Sequence, residues 1–335
     1  MEEAISVFQR FGYDANEAGF LALAAIHSGY FVRRQFAEFL GQERGGNAQR
    51  FIEKLLQKRH ATFTRYHLNK FVYHIRAKKI YNRLGQTDNR NRRDKAPLTL
   101  KRKLMCLDFV LAHRGKRFLE TESEKVAYFA SDREIPVSAL PVRRYVSHNS
   151  SRVTDRYFVD KLPIFVDGDP TSPGAPPVVH FAYVDEGAET LQGFGTFLKQ
   201  YGSLFSALKT FEVVYVGATG IWFGKAALMF AQIARDSIQI PFTPEELELR
   251  DYFEIRRKFE AKDFAGLDTD RIVRYRDEKR QYAEAAYEEL FRRWLVEGDS
   301  ALNRRKPPSG AAHRSFRTML VPHDYDILGG IERAS

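Results

Sequence analysis

The fold of the N-terminal third is decided by residues 47–75, which read NAQRFIEKLLQKRHATFTRYHLNKFVYHI. Apolar side chains recur at helical spacing in the first half of this stretch, as Phe51, Ile52, Leu55 and Leu56. The spacing predicts a helix over 47–59. From Thr62 to Ile75 the residues are rich in β-branched and aromatic types, with Asn69-Lys70 as a turn, which predicts a β-hairpin.

Two further helices are expected before this stretch. The apolar spacing of residues 16–27 predicts a helix that is capped by Asn16 and ended by Ser28-Gly29. A second, shorter helix is expected over 31–40, and a polar segment containing glycines separates it from the third. Three helices followed by a hairpin is the order of a winged helix-turn-helix, so we predict such a domain over residues 1–85.

Positive charge is concentrated in and just after this domain. The whole chain carries a net charge of +10. Residues 31–103 hold 20 Lys and Arg against 5 Asp and Glu, a net +15, so the rest of the chain is −5. Because basic side chains that neutralise phosphates release condensed counterions, a segment this basic is typical of a protein that binds double-stranded DNA. RNA, an acidic protein partner and a merely solvated basic face are the alternatives that remain open.

The helix over 47–59 is the expected recognition helix, since the second helix of a helix-turn-helix enters the major groove. We expect Asn47, Gln49 and Arg50 to contact bases, because Arg pairs with guanine and Asn or Gln with adenine. Lys58 lies on the polar face of the same helix and is also expected to contact DNA. Phosphate contacts are expected from Arg33, Arg34, Lys54, Arg65 and Lys70.

The remaining two thirds of the chain alternate strand and helix patterns. A basic fourth helix over 76–84 is followed by residues 86–97, which we predict to be a mobile basic linker. Within 98–300, two apolar strands flank an amphipathic helix over 191–209, which predicts a mixed α/β domain. The expected fold class is therefore α+β or α/β, with one long helix over 270–297 and a flexible tail over 301–335.

Carboxylates stand at the ends of the predicted strands. Asp160, Asp185 and Glu186 could hold Mg²⁺ beside a phosphate, since acids at strand ends form such sites. Strand ends are also where polar side chains commonly reach solvent, and both interpretations remain open.

This layout resembles the replication-relaxation family of plasmid and mobile-element proteins. The resemblance is carried by Phe20–Leu40, by residues 50–58 with the hairpin after them, and by VHFAYVDEG at 179–187 followed by KQY at 199–201. It implies a winged helix followed by a domain similar to the PD-(D/E)XK nuclease fold. An active nuclease of that fold carries Asp/Glu-x-Lys in one strand, but here Gly187 stands two places after Asp185 and Ala188 two places after Glu186.

These patterns predict a DNA-binding accessory or regulatory protein of a plasmid or mobile element, acting in replication, transfer or transcription without a cofactor. The α/β domain would serve for homodimerisation or for binding replication or transfer proteins. The alternative is a Mg²⁺-dependent nuclease that uses Asp160, Asp185 and Glu186, with Lys199 as a charge stabiliser. A third interpretation is an adaptor that binds protein through the Phe- and Tyr-rich body.

The single cysteine and the hydropathy pattern narrow the class of protein further. Cys106 lies in the apolar run LMCL at 104–107, so we expect a buried structural thiol and not a disulfide or zinc ligand. The acidic N-terminus does not read as a signal peptide, and no stretch approaches the ~20 apolar residues of a spanning helix. We therefore expect a cytoplasmic protein without a membrane partner.

Overall fold

A computed structural model describes residues 1–42, 46–66, 70–87, 89–146, 153–168, 177–187, 190–208, 210–236, 244–264, 267–297, 301–302, 313–321, 323 and 325. They form a mixed α+β structure. The chain separates into two compact units, one of residues 1–231 with 312–335 and one of residues 232–311. Asn69 of the predicted hairpin turn and most of the predicted tail lie outside the described residues.

The chain begins with helices and a small sheet. The elements are α1 (Glu2–Arg10), α2 (Ala15–His27), β1 (Tyr30–Phe31), α3 (Arg33–Phe39), α4 (Gly46–Gln57), β2 (Ala61–Tyr66) and β3 (Lys70–Ile75). Strand β3 lies between β1 and β2 and is antiparallel to both. The three predicted helices and the hairpin are therefore confirmed, whereas α1 and the two-residue β1 were not predicted.

Helix α2 begins and ends at residues whose local chemistry fixes its limits. The carboxylate of Asp14 accepts the backbone N–H of Glu17 at 2.8 Å, and Glu17 accepts the N–H of Asp14 at 3.0 Å. This reciprocal capping box, and not Asn16, starts the helix. Gly29 ends it with φ +83°, where an added Cβ would lie 2.5 Å from the carbonyl oxygen of Asn91, so only glycine fits.

The segment predicted to be a mobile linker is instead packed against the first helices. Helix α5 (Lys78–Arg83) precedes a 3₁₀ turn over Arg90–Arg92. Asn91 in that turn is 1% exposed, and its amide donates to the carbonyls of Ala25 at 3.1 Å and Ile26 at 2.8 Å. The linker prediction was wrong because these bonds satisfy carbonyls that the end of α2 leaves without helical partners.

The body of the first unit is a five-stranded sheet between helices. Its elements are α6 (Pro97–Ala112), β4 (Arg117–Phe118), α7 (Glu122–Ala127), β5 (Val142–Val146), β6 (Val153–Tyr157), β7 (Ile164–Asp167), β8 (Val178–Asp185), α8 (Gln192–Ala207), β9 (Thr210–Gly217), α9 (Phe223–Asp236) and, near the C-terminus, a tenth strand. The strand order is β10-β9-β8-β7-β4, where β10 is residues His313–Leu320. Strands β8, β9 and β10 are parallel, β7 and β4 pair antiparallel, and β5 and β6 form a separate ribbon.

Helices cover both faces of this sheet. Phe109 of α6 packs on Phe165 with 6.1 Å between ring centroids, and Phe205 of α8 packs on Phe181 of the opposite face at 5.1 Å. Leu107 and Leu111 of the same α6 belong to the core of the N-terminal helices. One helix thus serves two cores, which is why no domain boundary falls at 86–97 as predicted. Cys106 is buried, as predicted, and burial raises the pKa of its thiol to about 11.

The prediction of a flexible tail over 301–335 was wrong for residues 313–320. These residues form β10, which pairs with β9 along its whole length. Phe316 packs its ring on Phe230 of α9 with 5.4 Å between centroids. Without β10, strand β9 would leave a row of unpaired backbone groups at the sheet edge. The strand was missed because the sequence just before it is basic and contains prolines, a composition that is typical of flexible tails.

The second unit consists of α10 (Pro244–Glu260), α11 (Thr269–Gln281) and α12 (Ala285–Glu297). One long helix was predicted where α11 and α12 lie. The chain turns after α11, and Tyr282 then packs on Tyr252 at 4.8 Å while Trp294 packs near Phe253 at 5.8 Å. No Gly or Pro marks this turn, so it follows from packing against α10 and not from a local breaker.

Candidate functional site

The N-terminal end of α4 presents polar side chains to solvent, as the recognition-helix prediction requires. Asn47, Gln49 and Arg50 are exposed. Arg50 donates to Asn47 Oδ1 at 2.6 Å, and Gln49 donates to Glu53 Oε1 at 2.8 Å. Water competes for both surface bonds, so exchanging them for bonds to a base costs little free energy. Glu53 is exposed beside these residues and reduces the positive charge of this face.

Lys54 and Lys58 lie on a different side of α4, where they turn towards α2. Lys54 Nζ lies 2.6 Å from Glu17 Oε2 and 5.2 Å from the centre of the Tyr13 ring. Lys58 Nζ lies 6.0 Å from the same ring. Glu17 already pairs with Lys54, so a phosphate would have to compete with this carboxylate, and the phosphate contact from Lys54 stays a prediction.

Arg34 is likewise held inside the protein. Its guanidinium lies 2.7 Å from Glu38 Oε2, 3.1 Å from Asp108 Oδ1 and 2.5 Å from the hydroxyl of Tyr325. Gln35 donates to the same Asp108 at 2.8 Å. Arg34 therefore ties α3 to α6 and to Tyr325, and a phosphate would have to compete with these partners; the phosphate contact from Arg34 stays a prediction.

The network around Arg34 also contains a set of side chains that could, by their spacing, ligate a metal ion. Across the residues that the structure describes, Glu38, Asp108 and His323 are the one set of three whose ligand atoms lie within 4.8 Å of one another. Arg34 bonds both carboxylates of that set. Its guanidinium occupies the place that a cation would take, so the cluster is explained as an ion-pair network.

Many cations of the basic segment remain exposed at the surface. They are Arg33, Arg50, Arg59, Arg65, Lys70, Arg76, Lys78, Lys79, Arg83, Arg90, Arg93 and Arg102, the last of which pairs with Glu186. Among the residues predicted to bind phosphate, Arg33, Arg65 and Lys70 thus lie on the surface, as that role requires.

Five basic residues lie just after the C-terminal ends of α4 and β3, at the end of the hairpin opposite its turn. We call them the basal patch: Lys58, Arg59, Arg76, Lys78 and Lys79. The backbone N–H groups of Arg76 and Ala77 both point to the carbonyl of His60, at 3.3 and 3.4 Å, which joins the two chain segments. Burial, followed by repulsion from Lys79 and Lys58, lowers the pKa of His60 to about 4. Of these five, only Lys58 was predicted to contact DNA, although the RAKK sequence at 76–79 signalled three of the others.

The hairpin carries aromatic side chains on its exposed side as well as cations. Phe63 is 52% exposed and Phe71 is 37% exposed, and their rings meet edge to face at 5.6 Å. With Ile52 and Leu56 of α4 they line a groove of about 760 Å³. The hairpin therefore offers apolar surface beside α4, which its basic residues alone did not suggest.

The three acidic residues predicted to hold a metal have separate partners. Asp160 accepts the hydroxyl of Tyr201 at 2.9 Å, and Asp185 accepts the hydroxyl of Tyr215 at 2.5 Å. A third pair lies beside them, with Arg102 bonding both carboxylate oxygens of Glu186 at 2.6 and 2.9 Å.

These partners account for the acids without a metal ion. Burial first, and the neighbouring carboxylate next, raise the pKa of Tyr201 and of Tyr215, so both hydroxyls stay protonated and donate. Lys199 is exposed on α8, and in the described part of the chain neither a hydrogen bond nor an ion pair joins it to these acids. The donor set does not fit the arrangement that the nuclease alternative needs.

Comparison with known proteins adds no relative. No protein family, curated protein or solved structure was found to match the chain. In the described part of the chain, no helix combines the length and the apolar character needed to cross a bilayer. The function has to be inferred from the chain's own charges and geometry.

Proposed function

We propose that the protein binds double-stranded DNA and that residues 1–85 act as a winged helix-turn-helix. The order α2, β1, α3, α4, β2, β3 supports this, because it places a short strand between the first two helices and a hairpin after the third. The pairing of β1 with β3 then fixes the hairpin beside α4.

The observation that carries the proposal is the exposure of the basic segment. Its half-buried cations Arg34 and Lys54 have acidic partners, whereas exposed cations are spread over α3, α4, the hairpin and α5. The exposed acids Glu38 and Glu53 bond to Arg34 and Gln49. The surface is therefore strongly positive, and a polyanion is the partner that complements it.

The length of α4 suggests how both ends of the helix could be used. Its 12 residues span about 18 Å at the rise of an α-helix, whereas the major groove is about 12 Å wide. With Asn47, Gln49 and Arg50 at the bases, the basal patch at the other end would meet the phosphates that border the groove. Base and backbone contacts would then come from opposite ends of one helix.

The biological setting is proposed from the resemblance to the replication-relaxation family. The strand that ends in Asp185-Glu186-Gly187, with a lysine- and tyrosine-bearing helix after it, supports that assignment. The protein would be an accessory factor in replication, transfer or transcription of a plasmid or mobile element. The sheet and its helices would provide a surface for a second copy or for a replication or transfer protein.

The proposal is tested by fluorescence anisotropy of the full chain with a random-sequence duplex over a range of salt concentrations. Six phosphate contacts would give a slope of log affinity against log salt of about −5. Replacing Lys78 and Lys79 with alanine should make that slope shallower by about 2, whereas Lys279→Ala on α11 of the second unit should not change it. A flat salt response of the unaltered protein would refute the proposal.

Incubation of the same protein with supercoiled plasmid and Mg²⁺ addresses the nuclease alternative. We expect no cutting, because the acids are bonded to Tyr201, Tyr215 and Arg102. Cutting that Asp185→Asn abolishes would establish the alternative instead.

A further inference from the structure

A second basic region lies in a cleft between the N-terminal helices and the α/β body of the first unit. The cleft has a volume of about 520 Å³. Its walls come from the end of α2, from the segment 85–90, from α7, and from the chain between β6 and β7. Arg90 is one of the exposed cations of the basic segment and lines the cleft, but no residue named above for a base or phosphate contact does, so the proposed function does not explain the cleft.

Cations outnumber acids among the described residues that line the cleft. The cations are Arg90, Lys125, Arg156 and Lys161, and the acids are Glu120 and Glu122. Both acids are already engaged. Glu122 accepts from Arg156 Nε at 2.9 Å and from the N–H of Tyr157 at 2.7 Å, and Glu120 lies 3.7 Å from the N-terminal amino group. Arg90, Lys125 and Lys161 thus have no carboxylate partner among the described ion pairs of the cleft.

An unusual turn brings Lys161 into this cleft. Phe158 and Lys161 both adopt left-handed backbone conformations, with φ of +48° and +55°, which side chains larger than glycine rarely adopt. The N–H of Lys161 donates to the carbonyl of Phe158 at 3.1 Å and closes the turn. Lys161 Nζ then donates to Asn89 Oδ1 across the cleft at 2.9 Å. Strained turns of this kind are concentrated at binding sites.

Both lysines of the cleft have pKa values below the ordinary value for lysine. Desolvation, followed by repulsion from neighbouring cations, lowers the pKa of Lys161 to about 7; those cations are Lys103, Lys95, Arg90 and Arg156. Burial lowers the pKa of Lys125 to about 8 even though nearby Asp160 opposes the shift. Lys125 Nζ donates to the carbonyl of Leu162 at 2.9 Å. An anion in the cleft would supply the missing charge.

Two further side chains in the walls are suited to a ligand that is more than a simple anion. His27 is 9% exposed, and its Nε2 is buried without a hydrogen-bond partner. Burial, with Lys125 and Lys103 nearby, lowers the pKa of His27 to about 3, so the ring is neutral and can donate from one nitrogen. Tyr145 lies on the same face of the β5–β6 ribbon as Arg156 and offers a ring beside the cations.

We propose that this cleft binds a phosphomonoester group carried on a nucleotide, with Lys161, Arg90 and Arg156 bonding the phosphate oxygens and Tyr145 beside the base. Arginine and lysine side chains that converge from separate elements are the recurrent means of binding a phosphate dianion. The volume lies within the range of about 300–1,000 Å³ that is common for small-ligand sites. A free nucleotide and the 5′ end of a DNA strand share this chemistry.

Isothermal titration of the full chain tests the proposal with five probes: inorganic phosphate, a nucleoside 5′-monophosphate, the nucleoside itself, and a trinucleotide with or without a 5′-phosphate. The decisive variant is Lys161→Asn, because asparagine tolerates a left-handed backbone. The matched control is Lys262→Asn. Lys262 is an exposed lysine with the same φ of +55° and the same type of turn, its N–H lying 3.1 Å from the carbonyl of Phe259, but it does not line the cleft.

We expect the monophosphate to bind and the nucleoside not to bind. Lys161→Asn should weaken the monophosphate about tenfold, the effect of losing one charge-assisted bond, while Lys262→Asn leaves affinity within about twofold. Tighter binding of the phosphorylated trinucleotide than of the monophosphate would assign the site to a strand end, and the reverse would assign it to a free nucleotide. Equal binding with and without the 5′-phosphate, no binding of any phosphate, or an unchanged affinity of a folded Lys161→Asn protein would each overturn the proposal.

Discussion

The network around Asp108 offers the sharpest test of how the first unit is held together. Asp108 is 7% exposed and accepts hydrogen bonds from Arg34 and Gln35 of α3 and from the hydroxyl of Tyr325. These donors come from elements that are far apart in the sequence. Replacing Asp108 with alanine would leave all of them without their shared acceptor.

The size of the effect follows from burial and from the number of bonds lost. Removing one partner of a buried ion pair costs about 3–5 kcal/mol, because the other charge stays in the interior without compensation. Glu38 still accepts from Arg34 at 2.7 Å, which places the expected loss for Asp108→Ala near the lower end, at about 3 kcal/mol. For a protein with about 5–15 kcal/mol of stability in total, this is a large fraction.

The assay is urea denaturation of the full chain, followed by circular dichroism. Asp167→Ala is the matched control, since Asp167 pairs with Lys116 at 2.7 Å but both side chains are exposed by 40% or more. An exposed pair of this kind contributes about 0–1 kcal/mol. A loss of less than about 1 kcal/mol for Asp108→Ala, or equal losses for both variants, would refute the view that the network fastens α3 to the body.

Three further outcomes are expected. In selection from random duplexes, Arg50→Ala should change the preferred sequence while Arg65→Ala weakens all sequences alike, and the opposite result would contradict the proposed orientation of α4. Gly29→Ala should cost at least about 1–2 kcal/mol in urea denaturation, because φ is +83° and the Asn91 carbonyl is close; an unchanged midpoint would contradict this. Monophosphate affinity should be highest between the second pKa of phosphate, about 6, and the pKa of Lys161, about 7, and should fall as Lys161 loses its proton. Persistence of that fall in Lys161→Asn would contradict the assignment.

The elements whose apolar residues recur regularly over many positions could be predicted from the sequence. The short strand β1 could not. The apolar spacing of residues 47–59 and the β-rich run after it correctly predicted α4 and the hairpin, because both patterns are long enough to show a period. Strand β1 has two residues and owes its existence to pairing with β3. Nothing local signals such a strand.

Contacts between residues far apart in the sequence explain why the linker and the tail were predicted incorrectly. Residues 86–97 are polar and basic, which is typical of a linker, but the amide of Asn91 bonds carbonyls 65 and 66 residues away. Residues 313–320 follow a basic, proline-containing segment, yet they complete the edge of a sheet whose other strands lie far earlier in the chain. In both cases the segment is ordered by a surface that the sequence pattern does not reveal.

The same limitation applies to the candidate site, where counting charges overestimated the surface available to DNA. The net +15 of residues 31–103 includes Arg34, Lys54 and Arg102, and each of these is paired with a carboxylate of the protein itself. Lys101 is also buried, with its Nζ 3.7 Å from the position that a Cβ of Gly187 would take. The basic start of α6 thus lies near the acidic end of β8. Part of the charge that predicted a DNA-binding surface is therefore paired with an acid that predicted a metal site.

The positions of the basic residues say more about the expected anions than the net charge does. The exposed cations of the basic segment lie mostly on α3, α4, the hairpin, α5 and the 3₁₀ turn after it, whereas the cleft is lined by buried Lys125 together with Arg90, Arg156 and Lys161. A flat duplex surface and a narrow cleft select different anions, because a duplex presents a row of diesters and a cleft encloses a single end group. The two sets of basic residues should therefore respond independently to mutation, with Lys78 and Lys79 setting the salt slope of duplex binding and Lys161 setting the affinity for a monophosphate.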